Sequence, residues 1–242
     1  MIESATNTVS ASMREVPQPA AVVTIDGPAG SGKSTAARRV AITLGFRYLD
    51  TGAMYRALTW WLQKQRVDLS DTGAVLTRIA EPRIEVGTDP RQPEIAVDGQ
   101  DVAGPIRSRQ VSNAVSTVAA IPQVRARLIA MQRDIIAAAV AAGDGIVAEG
   151  RDIGTVVAPD APVKVYLTAS DDVRAQRRSD ELGDPAATAA IQREQARRDE
   201  RDAGQMVAAA DAVEIDTSAM SLDEVVGRVV AMARSRRVVP RG

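Results

Sequence analysis

The fold is decided by residues 21–35, whose sequence is AVVTIDGPAGSGKST. The stretch opens on a short apolar run, Ala21–Ile25, of the kind that forms a strand buried on both faces of a parallel sheet. After a glycine-rich turn, Lys33–Leu44 has the apolar spacing of a helix, and Gly45 follows as a stop signal. The order strand, glycine loop and helix indicates an α/β protein.

The glycine-rich turn matches the pattern G-x-x-x-x-G-K-[ST] without a mismatch. Its glycines let the backbone curl so that successive N–H groups point toward a phosphate at the positive end of the helix. A chance glycine turn is the alternative, but the preceding strand and following helix favour a phosphate site. The residues predicted to bind a nucleoside triphosphate are Gly27, Pro28, Ala29, Gly30, Ser31, Gly32, Lys33, Ser34 and Thr35.

Three side chains at the end of this loop have separate predicted roles. Lys33 reaches the β- and γ-phosphate oxygens, and the Ser34 hydroxyl is suited to Mg²⁺. Thr35 supports the α-phosphate. A magnesium–nucleotide complex is therefore the predicted ligand of the loop.

The composition restricts the chemistry that this chain can perform. The chain has 242 residues, 45% of them hydrophobic, and a formal net charge of -1, which argues against a general nucleic-acid or membrane-surface binder. It contains no cysteine and no histidine, which excludes thiolate nucleophiles, Ser-His-Asp triads and metal sites built on those residues. Phosphoryl transfer fits the remaining residue types, because it depends mainly on positioning and charge stabilisation.

Apolar strands and helices alternate along the rest of the chain. This alternation predicts a three-layer parallel sheet with helices on both faces and ligands at the carboxyl ends of the strands. Further strands are predicted at Phe46–Asp50, Ile146–Glu149, Val163–Leu167 and Ala212–Asp216, and a small hairpin within 83–97. Helices are predicted at Gly52–Gln65, Arg109–Ser116, Pro122–Ala142, Asp171–Leu182, Ala186–Ala203 and Leu222–Ala233. Strand-ending carboxylates are predicted at Asp26, Asp50 and Glu149.

No targeting or membrane-spanning signal is recognisable in the sequence. No run of about 18 apolar residues occurs, as a membrane span would require. Residues 1–20 are polar and lack the apolar core of a signal peptide. We therefore expect a cytoplasmic protein without membrane partners.

The segment 50–56, DTGAMYR, runs from a strand end into a helix. Thr51 offers a hydroxyl at the helix start, and Tyr55 and Arg56 lie about one turn further on. Together these residues can hold an anionic acceptor beside the phosphate loop. The alternative is a capped helix start with a surface arginine.

The segment 149–155, EGRDIGT, places an Arg-Asp pair between two glycines that permit close approach of a ligand. Arg151 can bind a phosphate or a base edge, and Asp152 can accept a hydrogen bond from an exocyclic amine. The alternative is an Arg–Asp salt bridge within a turn.

The segment 197–202, RRDERD, places Arg198 and Arg201 on one helix face. Arginines on a mobile segment can close over a triphosphate and neutralise transition-state charge. The alternative is a solvated helix that carries ion pairs.

Taken together, these segments resemble the bacterial cytidylate kinases, members of the nucleoside monophosphate kinase family of P-loop NTPases. TIDGPAGSGKS, LDTGAMYR, GRDIGTVVAPDAPVKVYL and RRDERD each look like blocks of that family and stand in its order. The resemblance covers Val22 to Ala233, and its most specific part is LDTGAMYR followed by GRDIGTVV. It implies transfer of the ATP γ-phosphate to CMP or dCMP with Mg²⁺.

The resemblance also implies roles for individual residues. Arg56 and Arg151 suit the CMP phosphate, and Ser116, Arg125 and Asp152 suit the cytosine edge. The implied substrate-binding residues are Thr51, Tyr55, Arg56, Ser116, Arg125, Arg151, Asp152, Arg198 and Asp202. The implied catalytic residues are Lys33, Arg151 and Arg198, and Arg177 joins the ATP-binding set on the lid side.

The resemblance further implies a division of the chain into core, acceptor-binding insertion and lid. We expect a core of 21–52, 115–169 and 206–234, an acceptor insertion at 53–114, a lid at 170–205, and disordered tails at 1–20 and 235–242. The sequence departs from the family pattern after RRDERD, where the following stretch is shortened and Gln205 stands near an expected arginine. We expect a monomer.

The residues leave several functions open. The sequence does not fix the preference among CMP, dCMP and UMP. A small-molecule kinase that acts on AMP, shikimate or a coenzyme precursor is the closest rival. A nucleotide-dependent regulator that binds ATP without an acceptor is the rival from a different class.

Overall fold

The computed structural model describes residues 21–182 and 188–236. Its centre is a five-stranded sheet of β1 (Val22–Asp26), β2 (Arg47–Asp50), β6 (Ile146–Gly150), β7 (Val163–Thr168) and β8 (Val213–Asp216). The strand order is β2-β6-β1-β7-β8, and every pairing is parallel. The predicted parallel α/β fold is confirmed. The predicted disordered tail at 1–20 lies outside the described residues. The predicted tail at 235–242 lies outside them from residue 237 on.

Helices flank both faces of this sheet. The α-helices of the described residues are α1 (Lys33–Leu44), α2 (Thr51–Lys64), α3 (Thr72–Arg78), α4 (Arg109–Ala119), α5 (Pro122–Ala141), α6 (Asp171–Leu182), α7 (Thr188–Asp202) and α8 (Leu222–Ser235). Helices α1 and α8 cover one face of the sheet, and α2 and α5 cover the other. All but α3 were predicted, most with bounds that agree to within a few residues. The missed helix is short, and the Asp71 side chain caps it by accepting from Ala74 N at 3.1 Å. Among the described helices, none has the length and apolar character needed to cross a bilayer.

A small antiparallel sheet lies beside the main one. Its strands are β3 (Ile84–Val86), β4 (Ile95–Val97) and β5 (Gln100–Asp101). The predicted hairpin is therefore right, and a third strand extends it. Asp98 and Gly99 both have positive φ, 52° and 76°, which is the backbone that a tight two-residue hairpin turn requires.

Two apolar cores fill the space between the sheet and its helices. On one face Val23 and Ile25 of β1 pack with the buried residues of α1 and α8. On the other face Ile146 and Ala148 of β6 pack with α2 and α5. Because both faces are covered, the strands contain continuous apolar runs rather than alternating ones.

The register of the sheet gathers the strand ends at one edge. Asp50 of β2 lies opposite Glu149 of β6, and Asp26 of β1 lies opposite Gly150. The Asp26 carboxylate accepts from Ile153 N at 2.9 Å and Gly154 N at 2.8 Å, so it holds the segment after β6 across the end of β1. Burial of this carboxyl raises its pKa to about 6. The sheet thus places three acidic strand ends around a single region.

Leu128 is a test of the α5 core contact. It is fully buried in the cluster that covers β6. We expect Leu128→Ala to lower the free energy of unfolding by about 2–5 kcal/mol, since it removes buried methyl groups and leaves a cavity. Val140 on the same helix is 42% exposed, and Val140→Ala should change it by less than about 0.5 kcal/mol. Chemical denaturation measures both, and equal losses would contradict this packing.

Candidate active site

The phosphate loop presents its N–H groups because basic side chains hold its carbonyl oxygens. The pairs are Arg151 Nη1 with Gly27 O at 2.9 Å, Lys33 Nζ with Pro28 O at 3.3 Å, and Arg174 Nη1 with Ala29 O at 3.1 Å. In a trans peptide the C=O and the following N–H point in opposite directions. The N–H groups of Ala29 and Gly30 are therefore directed away from these basic side chains and into the loop.

Two loop glycines need their left-handed backbone. Gly30 has φ +78° and Gly32 has φ +84°, values that residues with a side chain rarely adopt. A Cβ atom at Gly30 would also lie 2.9 Å from the carbonyl oxygen of Arg174. The loop therefore curls tightly under α6 before α1 begins at Lys33.

Most of the predicted ATP-binding residues border a cavity on one side of the loop, which we call the donor cavity. Its lining includes residues 30–35 and Arg177. Gly27, Pro28 and Ala29 do not line it, and their carbonyl oxygens accept from the three basic side chains named above. Arg177 is held by Thr217, because it donates to the Thr217 Oγ1 at 3.0 Å and to its carbonyl at 2.8 Å. Sequence reasoning missed Thr217, which lies in a loop after a short strand.

The predicted acceptor residues border a second cavity on the other side of the loop, which we call the acceptor cavity. Every one of them whose side chain is described lines it: Thr51, Tyr55, Arg56, Ser116, Arg125, Arg151, Asp152 and Asp202. The Arg198 side chain lies outside the described residues. Lys33 and Ser34 line both cavities, so the end of the phosphate loop is shared between the donor and acceptor sides.

Three cations, Lys33, Arg56 and Arg151, line the acceptor cavity beside the phosphate loop, together with the carboxylates of Asp50 and Glu149. Burial, and then repulsion from Arg151, lowers the pKa of Lys33 to about 7. Burial likewise lowers the pKa of Arg56. The Arg151 Nε is buried without a hydrogen-bond partner among the described residues, 3.6 Å from Asp202 Oδ2. Cations that repel one another in a partly buried site form a place that an anion would stabilise.

Glu149 lines the acceptor cavity and contacts the end of the phosphate loop, a role that the sequence did not indicate. Its carboxylate accepts from Ser34 Oγ at 2.8 Å and from Tyr48 OH at 2.7 Å, and its carbonyl accepts from Thr51 Oγ1 at 2.7 Å. Burial, and then the nearby Asp50 carboxylate, raises the pKa of Glu149. Its position at the end of a predicted strand was the available signal.

The two alternatives for the acceptor segments are not supported by the geometry. Asp50 does cap α2 by accepting from Ala53 N at 2.9 Å, but Arg56 faces the cavity rather than the surface. Asp152 pairs with Arg125 and not with its neighbour Arg151. The Arg–Asp salt bridge within the turn was therefore a wrong alternative.

Arg125 forms the centre of the far wall of the acceptor cavity. Its Nη2 donates to Asp152 Oδ2, and its Nη1 donates to Gln205 Oε1 at 2.8 Å. Gln205 also lines the cavity. The residue that departs from the expected arginine thus takes part in the site by holding another arginine in place.

The donor set at the loop fits a magnesium ion bound through a nucleotide. No group of three or more acidic side chains that could hold a metal alone occurs among the described residues. Mg²⁺ commonly takes most of its ligands from substrate phosphates and water and only one or two from the protein. The exposed Ser34 hydroxyl, with the Glu149 carboxylate behind it, matches that pattern.

Sequence comparison agrees with this arrangement. The family model described as "Cytidylate kinase" matches residues 23–235. This chain belongs to the cytidylate kinase family. It is 50% identical over 222 residues to the cytidylate kinase of Streptomyces coelicolor, covering 90% of this chain and 95% of that protein. It is 47% identical over 222 residues to that of Streptomyces avermitilis, with the same coverage. It is 43% identical over 221 residues to that of a Geobacillus species, covering 88% of this chain and 96% of that protein.

The lowered pKa of Lys33 predicts that ATP binding takes up protons. Triphosphate favours the ammonium form, so the pKa of Lys33 rises on binding and the affinity for ATP falls as the pH rises above about 7. Calorimetry at about pH 8 in buffers of different ionisation enthalpy measures the uptake. Lys33→Ala should abolish the part due to this group. Equal affinity at about pH 7.5 and about pH 9, without proton uptake, would contradict the assignment.

Proposed function

We propose that this member of the cytidylate kinase family transfers the γ-phosphate of ATP to CMP or dCMP. The observation that carries the proposal is the sharing of Lys33 and Ser34 between two cavities, one built on the phosphate loop and one lined by arginines. A protein that only binds ATP has no use for the second cavity. Membership of the family supports a pyrimidine monophosphate as its occupant.

The charges in the acceptor cavity suit attack of one phosphate on another. A CMP phosphate oxygen attacks the γ-phosphorus in line, the bond from that phosphorus to the β–γ bridging oxygen breaks, and ADP leaves with the electron pair. The nucleophile is already anionic, so no strong general base is required. Lys33, Arg56 and Arg151 face the space between the two phosphates and offset their charge.

The far wall of the cavity suits the cytosine base. Asp152 can accept from the exocyclic amine, and Arg125 presents a guanidinium that is fixed by two neighbours. Ser116 lines the same wall. A uracil base carries a carbonyl in place of the amine, so Asp152 favours cytosine over uracil.

Mg²⁺ is part of the proposal. Ser34 is the residue that would hold it, and bound Mg²⁺ supplies neutralisation of the β- and γ-phosphate charge. The hydroxyl is kept in place by its donation to Glu149. The fixed Ser34 therefore aligns the end of the triphosphate with Lys33.

The predicted division of the chain enters the proposal as well. Residues 53–114 hold the acceptor against the core of 21–52, 115–169 and 206–234, and 170–205 act as the lid. This is supported by the acceptor cavity, which takes Asp202 and Gln205 from the end of the lid segment and its junction with the core, and Tyr55 and Arg56 from the insertion. The monomeric state and the cytoplasmic location stay predictions.

Acceptor choice is tested by a coupled assay with ATP and a panel of nucleoside monophosphates. We expect turnover with CMP and dCMP, weaker turnover with UMP, none with AMP or shikimate, and loss of activity with excess EDTA. A regulator without an acceptor would neither turn over any of these compounds nor bind CMP in calorimetry. That combined result would refute the kinase proposal.

Lys33 is the residue whose loss should cost the most. Lys33→Ala removes a cation that lines both cavities, and we expect kcat to fall by about 10³-fold or more. Lys64→Ala is the control, because Lys64 is an exposed lysine on α2 that lines neither cavity. Near-normal turnover of Lys33→Ala with CMP would remove Lys33 from the reaction.

A further inference from the structure

Arg174 contacts the phosphate loop although it lines neither the donor nor the acceptor cavity. Its side chain is only 8% exposed. Nη1 donates to Ala29 O at 3.1 Å and to Asp199 Oδ2 at 2.6 Å, and Nη2 donates to Asp171 Oδ1 at 2.6 Å. A buried guanidinium with these partners fixes one loop carbonyl from behind.

The peptide between Ala29 and Gly30 has an orientation that depends on this contact. All described peptides are trans. With the Ala29 carbonyl turned out toward Arg174, the Gly30 N–H points into the loop. No described residue accepts a hydrogen bond from that N–H. Because Gly30 adopts either hand of backbone at little cost, nothing in the glycine itself prevents rotation of this peptide.

Helices α6 and α7 pack closely against the same peptide. A Cβ atom at Gly30 would lie 2.9 Å from the Arg174 carbonyl oxygen and 2.9 Å from Gln195 Nε2. Arg174 belongs to α6, whereas Gln195 and Asp199 belong to α7. The packing of α6 and α7 therefore keeps the guanidinium at the Ala29 carbonyl.

We propose that Arg174 is a positioning residue of the donor site, which holds the Ala29–Gly30 peptide with the Gly30 N–H directed at the triphosphate. Asp199 keeps the guanidinium in that place and thereby connects α7 to the phosphate loop. The inference rests on the proposed function only in that the loop binds a triphosphate, and it does not depend on which acceptor is used.

The test compares donor and acceptor binding in Arg174→Gln. We expect the Kd for a non-hydrolysable ATP analogue, measured by calorimetry, to rise about 10- to 100-fold, since the variant loses one hydrogen bond to a charged ligand and frees the peptide. The Kd for CMP in the absence of ATP should change by less than about twofold, because Arg174 lines no part of that cavity. A purely structural role would weaken both. Arg193→Gln, at an exposed arginine of α7, is the matched control and should change neither.

Two further variants keep the proposal testable where Arg174→Gln does not fold. Arg174→Lys keeps one donor for the carbonyl, and it should restore part of the affinity for the ATP analogue. Asp199→Asn removes the charge that holds Arg174 from α7, and it should weaken the analogue without affecting CMP. A crystal structure of Arg174→Gln should show the Ala29–Gly30 peptide rotated, whereas one of Arg174→Lys should show it in its original orientation.

The outcomes separate this inference from the proposed function. A wild-type protein that binds no ATP analogue would refute the donor site itself. A wild-type protein that binds it, together with an Arg174→Gln variant that unfolds at the same temperature and binds it equally, would overturn the role of Arg174. If Arg174→Gln does not fold, unchanged analogue affinity in both Arg174→Lys and Asp199→Asn overturns it as well.

Discussion

The site depends on the orientation of the peptides in the phosphate loop. A loop that offers N–H groups to a phosphate must place its carbonyl oxygens elsewhere, because each peptide other than Gly27–Pro28 carries both groups. Here three successive carbonyls are taken by Arg151, Lys33 and Arg174. Glycine makes the required backbone accessible, but the basic side chains select it. Arg151 also lines the acceptor cavity, and Arg174 lies in α6. The loop is therefore connected to the acceptor cavity on one side and to α6 on the other.

The same cations make the acceptor cavity electrostatically unfavourable in the free protein. Lys33 and Arg56 are half-buried close to Arg151, and loss of solvation together with that repulsion disfavours their charged forms. Asp50 and Glu149 offset part of that repulsion, and the burial of Glu149 beside Asp50 in turn disfavours its ionised form. Such an arrangement is less stable than a neutral core, as is common where a protein is shaped for its ligand. Bound phosphates relieve the repulsion between the cations. The repulsion therefore destabilises the free protein, and its relief contributes to the free energy of phosphate binding.

The parts of the fold that follow from local pattern could be predicted from the sequence. The phosphate loop and α1 are contiguous, and their glycines and apolar spacing define both. The short helix α3 was missed because its seven residues carry little periodicity. Glu149 was located at a strand end but given no role, since its partners Ser34 and Tyr48 lie 115 and 101 residues away.

Arg174 shows why the rest of the site could not be predicted. The sequence indicates only a charged helix over 171–182, and an arginine that is buried has the same local pattern as one that is exposed. Its partners are Ala29, 145 residues away, and Asp199, 25 residues away. Burial of a charged side chain is a property of the packed structure, so it becomes visible only once α6, α7 and the loop are brought together.

Gln205 shows how a departure from an expected pattern can be accommodated. An arginine at this position would stand against the Arg125 guanidinium, and the two would need an anion between them. The glutamine instead accepts from Arg125 through Oε1, which leaves Arg125 fixed between a neutral amide and the Asp152 carboxylate without any ligand. The side of the acceptor cavity that carries Arg125 is therefore already ordered in the free protein, so less side-chain entropy is lost when a ligand binds to it.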